Sequence, residues 1–130
     1  EAPVNSIWEG SGNVMCLDVL RGIAREPELA RLLLEDLLDR ACGEARLRQE
    51  ALALARHLER PPGVLEGQGR ELAARLCALA QACLLRRHAP AAVAEAFIAT
   101  RYSGHWGAVT GPVDPQALDV DFLLGRALPP

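Results

Sequence analysis

The chain has 130 residues, of which 50% are hydrophobic and 24% are charged, with a formal net charge of −3 at pH 7. This length and composition predict one domain with a buried core and exclude a disordered chain. The charge balance argues against a general nucleic-acid binder, and no apolar run is long enough to span a bilayer. Because aromatic residues make up only 4% while Ala, Leu and Arg are abundant, helices are favoured over strands.

Six helices are predicted in chain order. Ser11 caps the first, Pro27 lies in the first turn of the second, and Gly43 and the turn 61–63 interrupt the helical pattern. We expect an all-α fold, an up-and-down bundle of about five to six helices. The predicted spans are residues 13–23, 27–41, 44–60 and 67–88, a helix that starts at Pro90, and residues 116–124 after a polar, Gly-rich segment at 101–115.

Apolar residues at helical spacing predict the core. On the second helix the opposite face carries two pairs at a spacing of four residues, Arg31 with Glu35 and Asp36 with Arg40. The predicted core positions are Leu29, Leu33, Leu34, Leu37, Leu38, Ala41, Leu47, Ala51, Leu54, Leu58, Leu72, Leu76, Leu79, Ala80, Cys83, Leu84, Val93, Ala94, Phe97, Ile98 and Phe122.

Cysteines and histidines give no sign of a metal site. The spacings of Cys16, Cys42, Cys77 and Cys83 match neither a zinc ligand set nor a disulfide framework. We therefore expect reduced, buried thiols in a cytoplasmic protein. The remaining candidates have ordinary interpretations: we expect His57 and His88 at the surface, while His105 and Trp106 lie in the Gly-rich segment, where the Trp either plugs the end of the bundle or contacts a partner.

The first predicted helix is apolar almost all round. In NVMCLDVLRGI, residues 13–23, only Asp18, Arg21 and Gly22 interrupt the apolar surface after the initial Asn13. A helix on the outside of a small bundle needs one polar face, so this helix requires cover on two sides. Asp18 and Arg21 can pair with each other or receive a charge from elsewhere. We expect the chain to be a piece of something larger.

The turn before this helix has the chemistry of a binding site. Glu9 can project a carboxylate over whatever the turn holds, and the exposed N–H groups of a helix N-terminus favour an anion or an electron-rich ring edge. The alternative is a capped helix start in which Trp8 packs as a hydrophobic staple and Glu9 complements the helix dipole. Close backbone approach and small polar groups come from Gly10, Ser11, Gly12 and Asn13.

The stretch IWEGSGNVMCLDVLR, Ile7 to Arg21, resembles the I-Y-E-G-T motif region of acyl-CoA dehydrogenases, and most of all the AidB-like, adaptive-response branch of that family. The match is specific over residues 1–25 and looser over residues 26–130, which resemble the C-terminal helical extension of that branch. The resemblance implies one C-terminal helical domain, residues 1–130, of an FAD-dependent flavoprotein that dehydrogenates acyl-CoA thioesters. It also implies a homo-oligomer, commonly a tetramer. We expect no membrane partner, because no apolar run is long enough to span a bilayer.

The same resemblance assigns roles to residues of the motif. Glu9 would be the base that removes the α-proton of the thioester, and Arg21 would lie near the active-site cavity. Trp8 stands where the family has Tyr, so we expect a narrowed acyl tunnel and weak dehydrogenation. In that family, most of the protein surface that binds the flavin belongs to domains outside this chain. The chain alone should therefore be inactive and hold no FAD tightly. Contacts to FAD are implied for Trp8, Gly10, Ser11, Gly12 and Asn13.

AidB-like proteins are also associated with double-stranded DNA, which gives a second hypothesis: a DNA-binding or oligomerisation module. The alternative for its basic residues is a solvated polar face, because interleaved acids such as Glu44, Glu50 and Glu59 cancel the field that attracts phosphates. Candidate phosphate contacts are Arg46, Arg48, Arg56, Arg60, Arg86, Arg87, His88 and Arg101.

Overall fold

The structure, a computed structural model, describes residues 12–41, 43–102 and 118–127; of Asn13 it describes the backbone alone. These residues form helices and no strand, which confirms the all-α fold class. The helices are α1 (Gly12–Arg25), α2 (Pro27–Arg40), α3 (Ala45–Leu58), α4 (Pro62–Gly67), α5 (Gly69–His88), α6 (Ala91–Arg101) and α7 (Val120–Ala127).

Local chemistry sets several helix ends. Pro27 occupies the first position of α2, where its missing N–H costs nothing because that group has no partner within the helix. Glu44 caps α3 by accepting a hydrogen bond from the backbone N–H of Arg46 at 3.3 Å. Between these helices Gly43 has φ 85°, a left-handed conformation that strains any residue with a Cβ. The turn at Gly43 therefore depends on glycine.

The chain divides into two compact units, one ending at Leu79 and one beginning at Ala80. In the first, α2 packs on α3, and α1 contacts α2 and α4; its largest fully buried side chains are Leu47, Leu54, Leu72 and Leu79. In the second, α7 contacts α6, and the buried apolar residues are Ala82, Cys83, Ala94, Ala96 and Ile98. The domain limits expected from the sequence, residues 1–25 and 26–130, stay a prediction.

Two element predictions were wrong. The prolines at 61 and 62 were expected to force a turn, yet Pro62 opens the short helix α4, because proline is compatible with the first helical turn. The following long helix begins at Gly69, within two residues of its predicted start at residue 67. The last helix begins at Val120 rather than at residue 116, and Asp119 accepts a hydrogen bond from the N–H of Phe122 at its start.

Several residues assigned to the core are exposed. Leu29 is 61% exposed, although Leu37 and Ala41 on the same face of α2 are buried. An apolar stripe is buried only where another element covers it, so the C-terminal end of α2 is covered and its first turns are not. Cys83 is buried as predicted, whereas Cys77 is exposed. The remaining large residues wrongly assigned to the core are Leu33, Leu84 and Phe122.

Among the described helices, none combines the length and the apolar character that crossing a membrane requires. Within the same residues, His, Cys, Asp and Glu side chains form no group of three or more that could hold a metal ion.

Candidate functional site

Helix α1 carries the polar residues that the sequence singled out. Nη1 of Arg21 donates a hydrogen bond to Oδ1 of Asp18 at 2.8 Å, and both side chains are 64% exposed. Of the two pairings open to Asp18 and Arg21, the structure therefore shows the one within the helix. In water such a pair contributes about 0.2–1 kcal/mol, so it leaves Arg21 free to respond to a ligand or a neighbouring charge.

The motif before α1 lies for the most part outside the described residues. Gly12 is exposed, and a Cβ placed on it would meet no heavy atom within 4 Å. Among the described residues, nothing therefore fills the space beside Gly12 in the first turn of α1. The predicted residues that lie outside the described part are Trp8, Glu9, Gly10 and Ser11, together with the side chain of Asn13.

A cleft of about 400 Å³ lies beside Arg21, between α1, the end of α3 and α4. Its charged lining residues are Arg21, Arg60 and Glu66. A second hollow of about 330 Å³ shares Leu17 and Glu66 with it. The walls of the larger cleft are mainly apolar and include Leu17, Leu20, Ile23, Leu58, Pro62 and Leu65.

A chain of polar side chains connects the interior of the first unit to this cleft. His57 is only 7% exposed, so its placement at the surface was wrong. Its Nε2 lies 2.9 Å from Oε1 of Gln68, and its Nδ1 lies 3.3 Å from Nη1 of Arg75. The same Gln68 oxygen accepts a hydrogen bond from Nη1 of Arg60 at 3.1 Å. This series of hydrogen bonds therefore ends at the guanidinium of Arg60, which lines the cleft.

These contacts define the hydrogen positions on the ring of His57. Arg75 can only donate, so Nδ1 must accept with its lone pair. Nε2 then carries the hydrogen and donates it to the Gln68 oxygen. The amide of Gln68 has the matching orientation, because its oxygen faces two donors, His57 and Arg60.

Arg75 is itself anchored by a bidentate ion pair. Its Nε and Nη2 donate to the two carboxylate oxygens of Glu50 at 2.6 and 3.2 Å. The side chains are 22% and 18% exposed, and Glu71 adds a contact at 3.5 Å. The hydrogen bond that Arg75 donates to Glu50, followed by the negative charges of Glu50 and Glu71, raises the pKa of the Arg75 guanidinium above its ordinary value despite partial burial.

The arginines suggested for DNA have different surroundings. Arg46 pairs with Glu44 at 2.8 Å, and the guanidinium of Arg101 lies 5.8 Å from the ring centroid of Phe97. Arg60 is committed to Gln68. All the candidates of this set are exposed, the others being Arg48, Arg56, Arg86, Arg87 and His88.

Comparison with known proteins bears on the resemblance. The chain is 37% identical over 97 residues to AidB of Escherichia coli K12, a protein provisionally named as an acyl-CoA dehydrogenase. The chain is similar to AidB. The resemblance to the AidB-like branch of the acyl-CoA dehydrogenase family is thereby confirmed. The matched region is 75% of this chain but 17% of AidB, so the chain spans about a sixth of the length of this relative.

Two further comparisons gave no match: no family model and no solved structure matches the chain. The resemblance therefore rests on the likeness to AidB, and the helical fold agrees with a C-terminal piece of such a protein. Sequence reasoning missed the series of hydrogen-bonded side chains that runs from Glu50 through Arg75, His57 and Gln68 to Arg60. The one available signal was His57, three residues after the buried Leu54 and therefore at the edge of the buried face of α3.

Proposed function

We propose that this chain is the C-terminal helical part of an FAD-dependent flavoprotein that dehydrogenates acyl-CoA thioesters. The observation that carries the proposal is the 37% identity to AidB over 75% of the chain. It is supported by the motif at residues 7–21 and by α1, whose exposed apolar residues fit a helix meant to be covered by further protein. These exposed residues are Val14, Met15, Leu17 and Val19.

Glu9 is the base in this proposal. Its carboxylate takes the α-proton of the thioester, which an exposed carboxylate of ordinary pKa is too weak to remove. The intact parent must therefore desolvate Glu9 and stabilise the developing enolate charge with hydrogen-bond donors. When bound, the flavin supplies the acceptor for the β-hydride.

The remaining motif residues bind and orient. The open first turn of α1 presents backbone N–H groups, and its macrodipole favours electron-rich atoms at that end. Arg21, paired with Asp18, holds a positive charge two turns further along the same helix and lowers the energy of negative charge nearby. The residues proposed to contact FAD are Trp8, Gly10, Ser11, Gly12 and Asn13.

The test uses the full-length parent. Glu9→Gln removes the base but retains the size of the side chain, so the variant should still bind flavin and show its visible absorbance. Acyl-CoA should bleach the wild-type flavin and fail to bleach that of the variant. Glu26→Gln, an exposed carboxylate between α1 and α2, is the matched control and should bleach like wild type. Bleaching that continues unchanged in Glu9→Gln would exclude Glu9 as the base.

The second candidate function is binding of double-stranded DNA. The observation in its favour is the run Arg86, Arg87 and His88, which closes α5 and is exposed throughout. Arg87→Gln should weaken retention of a DNA duplex and reduce its salt dependence, because one phosphate contact is lost. Arg25→Gln, equally exposed at the end of α1, is the control. Equal retention by both variants would contradict a role for the end of α5.

A further inference from the structure

The cleft between α1, α3 and α4 combines apolar walls with a guanidinium that other side chains hold in place. Its volume of about 400 Å³ lies towards the lower end of the range of small-molecule pockets, roughly 300–1,000 Å³. Such a volume suits a short aliphatic chain better than a large ring system. Leu20, Leu58 and Leu65 provide apolar surface on three different helices around it.

Arg60 is organised from the interior of the protein. Its Nη1 donates to Oε1 of Gln68 at 3.1 Å, and His57 donates to the same oxygen from a buried ring. Arg75, itself held by Glu50, fixes the other side of that ring. Ordering a long side chain before a ligand arrives removes part of the entropy cost of binding. Because the partner of Arg60 is a neutral amide, this hydrogen bond leaves its positive charge uncompensated.

We propose that this cleft binds a small amphiphile that carries one carboxylate and a short aliphatic chain. The aliphatic part of the ligand lies against the leucines of α1, α3 and α4. Its carboxylate accepts hydrogen bonds from the guanidinium of Arg60, whose planar fork matches the carboxylate geometry. The proposal uses neither Glu9 nor the flavin, and its test measures ligand binding rather than flavin bleaching, so its failure is distinguishable from that of the proposed function.

The other two charges in the lining oppose or dilute that attraction. The ion pair with Asp18 partly neutralises the charge of Arg21, and the negative charge of Glu66 repels an anionic ligand. However, none of the described side chains holds Glu66 by a hydrogen bond or an ion pair, whereas Arg60 is fixed by Gln68. An unheld carboxylate can turn to solvent, so the ordered guanidinium decides the sign of the preferred ligand.

The test is an NMR titration of the isotopically labelled chain with octanoate, compared with butanoate, octanol and octylamine. Octanoate should cause saturable shifts at Arg60 and Leu65. It should bind at least tenfold more tightly than butanoate, since each buried methylene contributes up to about fourfold. Octanol and octylamine should bind at least about threefold more weakly than octanoate, because they lack the carboxylate.

Two substitutions that each remove a charge from the cleft should change octanoate affinity in opposite directions. Arg60→Gln should weaken octanoate binding about threefold to tenfold and leave octanol binding unchanged, whereas Glu66→Gln should strengthen octanoate binding. Arg126→Gln, an exposed arginine of α7 outside the cleft lining, should change neither. Absence of saturation, shifts confined to other residues, equal affinity for octanol, tighter binding of octylamine, or no effect of Arg60→Gln would each overturn the proposal.

Discussion

Nε2 of His57 lies 2.9 Å from Oε1 of Gln68 and donates its hydrogen to that oxygen. The contact joins α3 to the junction between α4 and α5, and the ring is 7% exposed. On the other side of the ring, Arg75 donates to Nδ1. Both ring nitrogens are thus satisfied, which a buried imidazole requires if its desolvation is not to destabilise the fold.

Replacement of this ring should therefore destabilise the first unit. His57→Ala removes a buried ring and leaves the Gln68 and Arg75 groups without their partner, so we expect the free energy of unfolding to fall by about 2–3 kcal/mol. Denaturant unfolding followed by circular dichroism measures it. His88→Ala at the exposed end of α5 should change stability by less than about 0.5 kcal/mol. Equal effects of the two substitutions would show that the hydrogen bonds of His57 contribute nothing.

The Glu50–Arg75 pair should matter more than the surface pairs. Glu50→Gln leaves a partly buried guanidinium without its carboxylate, so unfolding should become easier by about 1–3 kcal/mol. The exposed Glu59→Gln is the control and should lie within about 0.5 kcal/mol of wild type. A loss of unfolding free energy no larger than that of the control would show that this pair stabilises the fold no more than an exposed ion pair does.

The pH dependence of this effect follows from the direction of the Arg75 shift. Folding raises the pKa of Arg75, so its stabilisation is fully present below the unfolded-state pKa of arginine and is lost only as the pH rises through the folded-state value. The difference between wild type and Glu50→Gln should therefore be constant from about pH 6 to about pH 9, where both groups are ordinarily charged. Unfolding curves at several pH values measure it, and a difference that shrinks towards pH 9 would contradict this account.

Much of the fold could be predicted from the sequence because its determinants are local. Proline in the first turn, glycine at the α2–α3 connection and apolar spacing placed α2 and α3 within two residues of their observed ends. The exposure of Leu29 could not be predicted, because it depends on which elements cover the first turns of α2. Helix α4 was missed because two consecutive prolines are compatible with both a turn and a helix start.

One part of the candidate site could likewise be predicted from the sequence, and another part could not. The motif at residues 7–21 could be recognised because its residues are adjacent in the sequence, and the likeness to AidB confirms the resemblance. The chain Glu50–Arg75–His57–Gln68–Arg60 joins residues that are 8 to 25 positions apart. No periodicity within one helix marks such contacts, so they become visible only when α3, α4 and α5 are placed together.

The turn at Gly43 should tolerate no side chain, in contrast to a glycine inside a helix. Gly43→Ala places a Cβ at φ 85° and should cost about 1–2 kcal/mol of unfolding free energy. Gly22→Ala, within α1 and with nothing within 4 Å of the new Cβ, should instead stabilise that helix by up to about 1 kcal/mol. Thermal unfolding of both variants tests the contrast, and a loss in both would mean that Gly22 has an unseen close contact.

The exposed apolar face of α1 should make the chain associate with itself. Met15 and Val19 lie one turn apart on that face, and contiguous exposed apolar surface drives association in water. Light scattering across a concentration series should show growth in mass for the wild type and less growth for Met15→Gln combined with Val19→Gln. Because both residues are exposed, the free energy of unfolding should change by less than about 0.5 kcal/mol. Arg25→Gln, a polar change on the same helix, is the control. If the double variant associates as strongly as wild type, this face does not drive association.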